Sequence, residues 1–389
     1  MHSHLSTSQV RRDVAIRDLT DPASGEHAVQ ILIDRAVGAL QAKWQCEVRW
    51  YRGTRIVTIE DNCNSLGFQN SDVTRDAQYT RYVDERHMLR SHSSAMVPEA
   101  LRDVAASGVH DVLLVCPGIV FRRDAIDRLH TGAPHQLDLW RISRQPMGDD
   151  DLDEMIATLA ETLVPGAAYR AEPRVHPYTL NGRQVDIESG SEWIEVWECG
   201  IAHPDVLKRA GLDQDHSGLA LGMGLDRLLM LVKQVPDIRA LRSDDPRIAS
   251  QMNDLEPYRE VSAMPAVRRD LSIAIAPDDL VEDLGDRVRN SLGPDAVSVE
   301  EVTVLSETPC SDLPPQAVSR LGARAEQKNV LVRIVLRDLE RTLTDGEAND
   351  MRDRIYMALH QGSAFEWASP VPRSPGDSVP RSLGDSVTR

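Results

Sequence analysis

Phe121-Arg122-Arg123-Asp124, running on to His135-Gln136-Leu137-Asp138, and then Gly222-Met223-Gly224-Leu225-Asp226-Arg227 form an ordered pair of arginine-bearing segments. The first follows a short apolar run, Val112 to Val120, with the signature of a strand, and the second opens an apolar helix over Leu225 to Val232. Arginine binds oxyanions through a planar fork and cannot lose its charge, so two such residues at the ends of ordered elements suit a polyphosphate. Either segment alone says little. Charged pairs end many amphipathic strands, and a Gly-x-Gly before a helix is commonly a packing device.

Their neighbours add weight because they come in a fixed order. Upstream stand Arg17-Asp18-Leu19-Thr20-Asp21-Pro22 with Gly25-Glu26-His27, and then Met88-Leu89-Arg90-Ser91-His92-Ser93-Ser94-Ala95. Downstream are Trp193-Ile194-Glu195-Val196 through His203-Pro204-Asp205, Val235-Pro236-Asp237-Ile238-Arg239 and Ser243-Asp244-Asp245-Pro246-Arg247. Read together, these segments resemble the class II aminoacyl-tRNA synthetases, and within them the phenylalanyl branch in its single-chain, mitochondrial-type form. Ala28 stands where that branch has a proline.

The residues alone predict an α+β fold, an antiparallel sheet with flanking helices. Apolar positions at helical spacing mark a helix from about Glu26 to Lys43. Val48 to Glu60, Leu137 to Ile142 and Trp193 to Cys199 read as further strands. A helix over Asp149 to Leu163 would start in an acidic cluster, favourable at the positive end of its dipole, and stop before Pro165-Gly166.

A second domain is expected from Glu256 to Trp367, after a catalytic domain over residues 1–255. Its strands lie at Arg268 to Ile275, Ser298 to Leu305 and Val330 to Leu336, with helices at Leu280 to Leu292 and from Thr344 to about His360. Thr344 is a natural N-cap three residues before Glu347. With a final strand at Phe365-Glu366-Trp367 this is a split βαβ order, and it resembles the ferredoxin-fold anticodon-binding domain of the same branch. Arg268, Arg269, Arg337 and Arg341 are the residues placed nearest tRNA. The tail over residues 368–389 nearly repeats a Pro-Ser-Gly-rich phrase and is expected to be disordered.

The resemblance implies a site that activates an amino acid with ATP and magnesium and passes it to tRNA. Arg122 would bridge the substrate carboxylate and the α-phosphate, Arg227 would bind the γ-phosphate, and Asp124 would accept from the adenine amino group. Glu195 is the candidate magnesium carboxylate. His92, Ser94, Gln136 and Asp138 match positions that hold the substrate's amino and carboxylate groups, Asp138 replacing a longer glutamate. No nucleophilic side chain is needed, since the reaction runs on positioning and electrostatics.

The departures gather where ATP's base and the amino-acid side chain should lie. Pro134 stands for an adenine-stacking phenylalanine, and Val97 for a glutamine. A Phe-Pro-Phe wall appears as His176-Pro177-Tyr178, a Gly-Phe-Ala-Phe-Gly as Gly218-Leu219-Ala220-Leu221-Gly222, and a glycine as Glu198. Polar groups in a dry pocket must be paired, which favours a substrate bearing a hydroxyl, amine or similar group. The other reading has His176 and Tyr178 turned outward with Ala220 still seating a phenyl ring.

Composition sets the remaining bounds. The 389 residues exceed the usual size of one core, and Cys46, Cys63, Cys116, Cys199 and Cys310 have neither a disulfide-like count nor a Cys-x-x-Cys spacing. No apolar run is long enough to cross a bilayer, so a cytoplasmic monomer or homodimer is expected. The net charge of −17 runs against tRNA binding overall, although recognition needs only a local basic face. Three classes stay open: a tRNA ligase, an amino-acid-activating enzyme of a biosynthetic pathway, and a catalytically weak synthetase-like binding protein.

Overall fold

The computed structural model describes residues 4–72, 75, 79–261 and 264–365. Helix α1 (Thr7–Val14) is closed by a capping box between Ser6 and Gln9. Helix α2 (Ala28–Trp44) starts where His27 Nδ1 accepts from the Val29 amide at 3.2 Å, and it buries Ala28, Leu32, Ala36 and Leu40 along one stripe. The strand expected over Val48 to Glu60 is instead two. β1 (Glu47–Trp50) joins the main sheet, and β2 (Ile56–Thr58) runs into the short α3 (Ile59–Asn62), which Thr58 caps. Between them the Gly53 carbonyl accepts from buried Arg90 at 3.1 Å, so the chain leaves the sheet and β2 pairs with β3 (His87–Leu89).

Helix α4 (Val97–Ser107) then leads to β4 (Asp111–Ile119) and β5 (His135–Ser143). Helix α5 (Asp149–Leu163) has Asp149, Asp150 and Asp151 in its first turn. Strands β6 (Tyr169–Pro173), β7 (Thr179–Ser189) and β8 (Glu192–Ala202) follow as a meander. After α6 (Pro204–Arg209), β9 (Ser217–Gly224) runs straight into α7 (Leu225–Lys233), and the short α8 (Pro246–Ala249) lies beyond. The seven strands are ordered β1-β4-β5-β9-β8-β7-β6; β1 and β4 are parallel and every other neighbouring pair is antiparallel.

Period-two alternation divides this sheet into two faces. Leu113, Val115, Leu137, Leu139, Leu219 and Leu221 point to one core with α2, α5 and α7. Val112, Leu114, Trp140, Ile142 and Ala220 point to a second core with α4 and α6. Helices cover only part of that second face, and beyond them Gln136, Asp138 and Gly222 are left to line a cleft. Below β4 lies Arg90, 2% exposed, whose Nε donates to the Ile119 carbonyl at 2.7 Å. A Cβ on Gly118 would lie 2.0 Å from Arg90 Nη2, so only glycine lets the guanidinium pass under β4.

The C-terminal part has its own core. Strands and helices follow as β10 (Val267–Ile275), α9 (Val281–Leu292), β11 (Val299–Pro309), α10 (Pro315–Leu321), β12 (Lys328–Leu336) and α11 (Asp345–Leu359). The antiparallel sheet is ordered β10-β12-β11, and Leu271, Ile273, Val330 and Val332 pack on Leu284, Val288 and Ile355. Thr344 Oγ1 accepts from the Glu347 amide at 3.3 Å, the expected capping box. Helix α10, in the β11 to β12 connection, was not foreseen. Phe365 is not in a strand; its ring meets Tyr356 and His360 edge-on at 6.2 and 5.2 Å. Glu366, Trp367 and the tail over 368–389 lie outside the described residues.

Candidate active site

The cleft above β5, β9 and β8 has a volume of about 1010 Å³. Arg122, Asp124, Gln136 and Asp138 line it together with His92, Ser94, Glu195 and Glu198. His176 and Tyr178 line it as well, so neither turns away. Pro134 is not part of the lining; it stands at the entry to β5, where its carbonyl accepts from the Val120 amide at 2.8 Å. Ala220 departs further from expectation. It is fully buried in the second core beside Trp140, its partner across the β5–β9 ladder.

Arg122 reaches the cleft from the loop that follows β4. Its Nε donates to the Ser91 carbonyl at 3.0 Å, and among the described residues no carboxylate stands within ion-pair distance of it. Asp127, one partner a surface arginine would choose, binds His130 Nδ1 at 2.7 Å instead. Burial pulls the Arg122 pKa down, against the fields of Asp124, Glu198 and Glu195. A charged fork so placed, with no counter-ion at ion-pair distance among the described residues, suits an incoming anion.

His92 shares this wall. Burial, with Arg122 nearby, pushes its pKa down to about 3, so its ring is neutral at ordinary pH, and its buried Nδ1 has no partner. Asp138 sits at the floor, accepting from Ser93 Oγ and, at 3.2 Å, from Trp140 Nε1. Ser93, quoted in its segment beside the expected Ser94, takes a part that the resemblance does not assign to it. Its neighbour Ser94 is the one that resembles the family pattern, and nothing local shows which hydroxyl faces the carboxylate.

Burial lifts the Asp138 carboxyl from 3.8 to about 6, against hydrogen bonds from Ser93, Ser94 and Trp140. A folded pKa above the unfolded one means more protons bound in the native state over that range, so stability falls as pH rises from about 4 to about 6 and is level beyond. Asp138→Asn is expected to remove that slope. Its stability relative to wild type should grow by on the order of 2 kcal/mol between pH 4 and pH 7. Thermal unfolding across this range checks it, and parallel profiles for the two proteins would contradict it.

The acid facing Asp138 across Gly222 is Glu198. His176 Nε2 meets Glu198 Oε2 at 2.8 Å, and Arg174 Nε meets Oε1 at 3.1 Å. Burial acts to raise this carboxyl, but His176, Arg174 and Arg122 outweigh it and hold it below the usual range. The His176 ring stacks on Tyr178 at 5.3 Å, and Tyr178 stacks on Trp140 at 6.1 Å. Arg174 and Trp140 carry no motif of their own and were not singled out from the sequence.

Glu195 lies on the same strand as Glu198. Burial and Glu198 raise its pKa, against Arg227 and Arg174. Among the described residues no three His, Cys, Asp or Glu side chains converge as a metal cage. Magnesium needs none when phosphate oxygens and waters complete its shell, so a single carboxylate fits. Arg227 is set just outside the cleft, 3.4 Å from the Glu195 carbonyl and 3.4 Å from His130 Nε2. Its neighbour Asp226 is buried and, despite burial, held down to about 2 by His135 and Arg242. That pair locks β5 to α7, which sets where Arg227 starts.

The C-terminal part closes on the loop carrying Arg122. Ile126 inserts into its core, and the Ile126 carbonyl accepts from the Val302 amide at 2.9 Å. Arg289 of α9 donates to the carbonyls of Asp124 and Ala125 at 2.6 and 2.7 Å. These contacts join residues more than 160 positions apart, and no local pattern announces them. Arg337 departs from the tRNA-facing position expected of it: it is turned to Glu300 and to the Met264 carbonyl at this junction. Arg269 is tied to Asn349 and Asp345, and Arg341 to Glu347, while Arg268 is exposed.

A mostly antiparallel sheet presents one arginine over a polar cleft and a second at the head of the following helix, an arrangement in keeping with a class II ligase core. Residues 12–252 match the family model described as tRNA synthetases class II core domain (F). The chain belongs to that family. It is 26% identical over 363 residues to a probable mitochondrial phenylalanine–tRNA ligase of Drosophila melanogaster, covering 78% of this chain and 75% of the relative. It is 29% identical over 314 residues to the chloroplastic/mitochondrial phenylalanine–tRNA ligase of Arabidopsis thaliana, covering 77% and 68%. The phenylalanine–tRNA ligase alpha subunit of Nostoc punctiforme matches over 240 residues at 28% identity, covering 61% and 70%. No helix of the described residues is long and apolar enough to cross a membrane.

Proposed function

We propose that this aminoacyl-tRNA ligase uses ATP and magnesium to activate an amino acid, with a specificity altered from that of the phenylalanine–tRNA ligases it resembles, and then charges tRNA. The observation that carries the reading is the guanidinium of Arg122 at the head of the cleft, which meets no carboxylate at ion-pair distance among the described residues. An oxygen of the substrate carboxylate attacks the α-phosphorus, the bridging P–O bond to the β-phosphate breaks, and pyrophosphate leaves. Arg122 would hold the carboxylate and α-phosphate together as their charges converge, and Arg227 the γ-phosphate. Asp124 would take the adenine amino group. Glu195 would hold magnesium, which supplies counter-charge between the phosphates. His92, Ser94, Gln136 and Asp138 would orient the amino acid. A ribose hydroxyl of tRNA then attacks the adenylate carbonyl, and AMP leaves.

Residues 256–367 would form the tRNA-binding domain, and the chain would work in the cytoplasm, a reducing compartment with which its buried free cysteines agree. A monomer or homodimer suffices for this chemistry. Amino-acid-dependent exchange of labelled pyrophosphate into ATP tests the first half-reaction; no exchange with any amino acid would leave only a binding role. For the second, tRNA affinity of the full chain should fall steeply with salt, and Arg268→Ala with Arg269→Ala should flatten the slope by about one to two units. An unchanged slope would remove these residues from the tRNA face. Transfer to an acceptor other than tRNA has one observation in its favour: Arg269, Arg337 and Arg341 are already neutralised by neighbouring acids.

A further inference from the structure

Asp138 on β5, Gly222 on β9 and Glu198 on β8 are register partners in one row across the cleft floor. Adjacent strands lie about 4.8 Å apart, so the backbones that carry the two acids are roughly 10 Å apart with only a glycine between them. A Cβ on Gly222 would stand at ordinary contact distance, 3.7 Å, from Asp138 Oδ2, and with no side chain there the floor between the two acids stays low.

The next row in the same direction is closed. Trp140, Ala220 and Gly200 are its register partners, and Trp140 and Ala220 are both fully buried. Tyr178 stacks against the Trp140 indole and forms the end of the cleft, while Trp140 and Ala220 contribute nothing to its lining. The space beside Ala220 that could seat a phenyl ring is filled by the protein's own aromatic groups. What faces the substrate instead is the carboxylate of Glu198.

Glu198 keeps acceptor capacity. Each of its oxygens meets one protein donor, from Arg174 and His176, and a carboxylate offers about four acceptor positions. Arg174 is 55% exposed, so water screens its share of the pairing. Burial works against ionisation here, yet the surrounding cations keep this acid charged. A neutral hydrocarbon side chain laid against it would leave a partly buried charge to be desolvated for no gain.

We propose that the pocket takes a short α-amino acid bearing a second ammonium group: its carboxylate meets Arg122, its side-chain ammonium meets Glu198, and Trp140 excludes an aromatic ring. This rests on the adenylation reading above and names the substrate class of that site. Glu198 and Trp140 are then its specificity-determining residues.

The test is pyrophosphate exchange by the full chain with 2,4-diaminobutyrate, ornithine, lysine, norvaline and phenylalanine, in wild type, Glu198→Gln and Trp140→Leu. At least one diamino acid should exceed norvaline and phenylalanine in kcat/KM by roughly 10²-fold or more. Glu198→Gln keeps shape and removes charge, so it should erase most of that preference through KM. Trp140→Leu should raise phenylalanine relative to the diamino acid. Wild-type exchange that is best with phenylalanine or norvaline overturns the proposal and leaves adenylation standing, as does a diamino preference unmoved by Glu198→Gln. Exchange with no amino acid overturns both. Because the wild-type panel decides by itself, a variant that fails to fold does not protect the idea.

Discussion

Arg122→Ala is expected to reduce amino-acid-dependent pyrophosphate exchange by on the order of 10²- to 10³-fold, with most of the loss in kcat. The reason is where the charge stands. Two anions, a carboxylate and a phosphate, converge at the transition state, and Arg122 is a cation of the lining wall that no carboxylate among the described residues meets at ion-pair distance. Its Nε is anchored on the Ser91 carbonyl, which fixes the fork before substrate arrives. Preorganisation of this kind costs nothing at the moment of reaction. Arg122→Lys keeps a charge but loses the bidentate fork, so it should recover only part of the rate. A variant whose kcat matched wild type would remove Arg122 from the chemistry.

Ile126→Asp is expected to separate the C-terminal part from the loop and to raise KM for ATP by tenfold or more, with a stability loss of several kcal/mol. Ile126 is 7% exposed among apolar residues of the C-terminal core, where a buried carboxylate is costly. The loop would then lose Ile126 as its apolar anchor and keep polar ties alone: Arg289, the Arg128 pair with Glu300, and Arg123 with Asp283 and Asp286. Asp124 and Arg122 sit in the first residues of that loop, so their positions would loosen with it. The measurement is ATP dependence of exchange below the melting temperature of the variant. An unchanged KM for ATP in a folded variant would show that the docking is incidental to the site.

What could be read from the sequence was what local physics decides. Helix α5 begins in its acidic cluster and ends at Leu163, just before Pro165-Gly166, because the dipole and the proline act within a turn. Strands β4, β5 and β8 follow their apolar runs, and Thr344 caps α11 as its spacing with Glu347 requires. The turn at Gly53 was hidden, since it exists to receive Arg90 from another segment. The same holds at the site. The motifs name Arg122, Asp124 and Asp138, and the fold brings them into one cleft. Trp140, Arg174, Arg289 and the insertion of Ile126 depend on residues far away in sequence, and no period or cap encodes them. Ala220 was placed in the pocket because its segment looked right; a tryptophan on the neighbouring strand decides otherwise.

The most direct test of the account is whether an acyl group leaves the adenylate for tRNA. The full chain would be incubated with ATP, magnesium, a mixture of amino acids and total tRNA, and the tRNA 3′ ends then assayed for an ester that protects them from periodate and is released by mild base. The account predicts base-labile acylation that requires ATP and disappears in Arg122→Ala. Steady pyrophosphate exchange with tRNA 3′ ends that stay fully sensitive to periodate would contradict it.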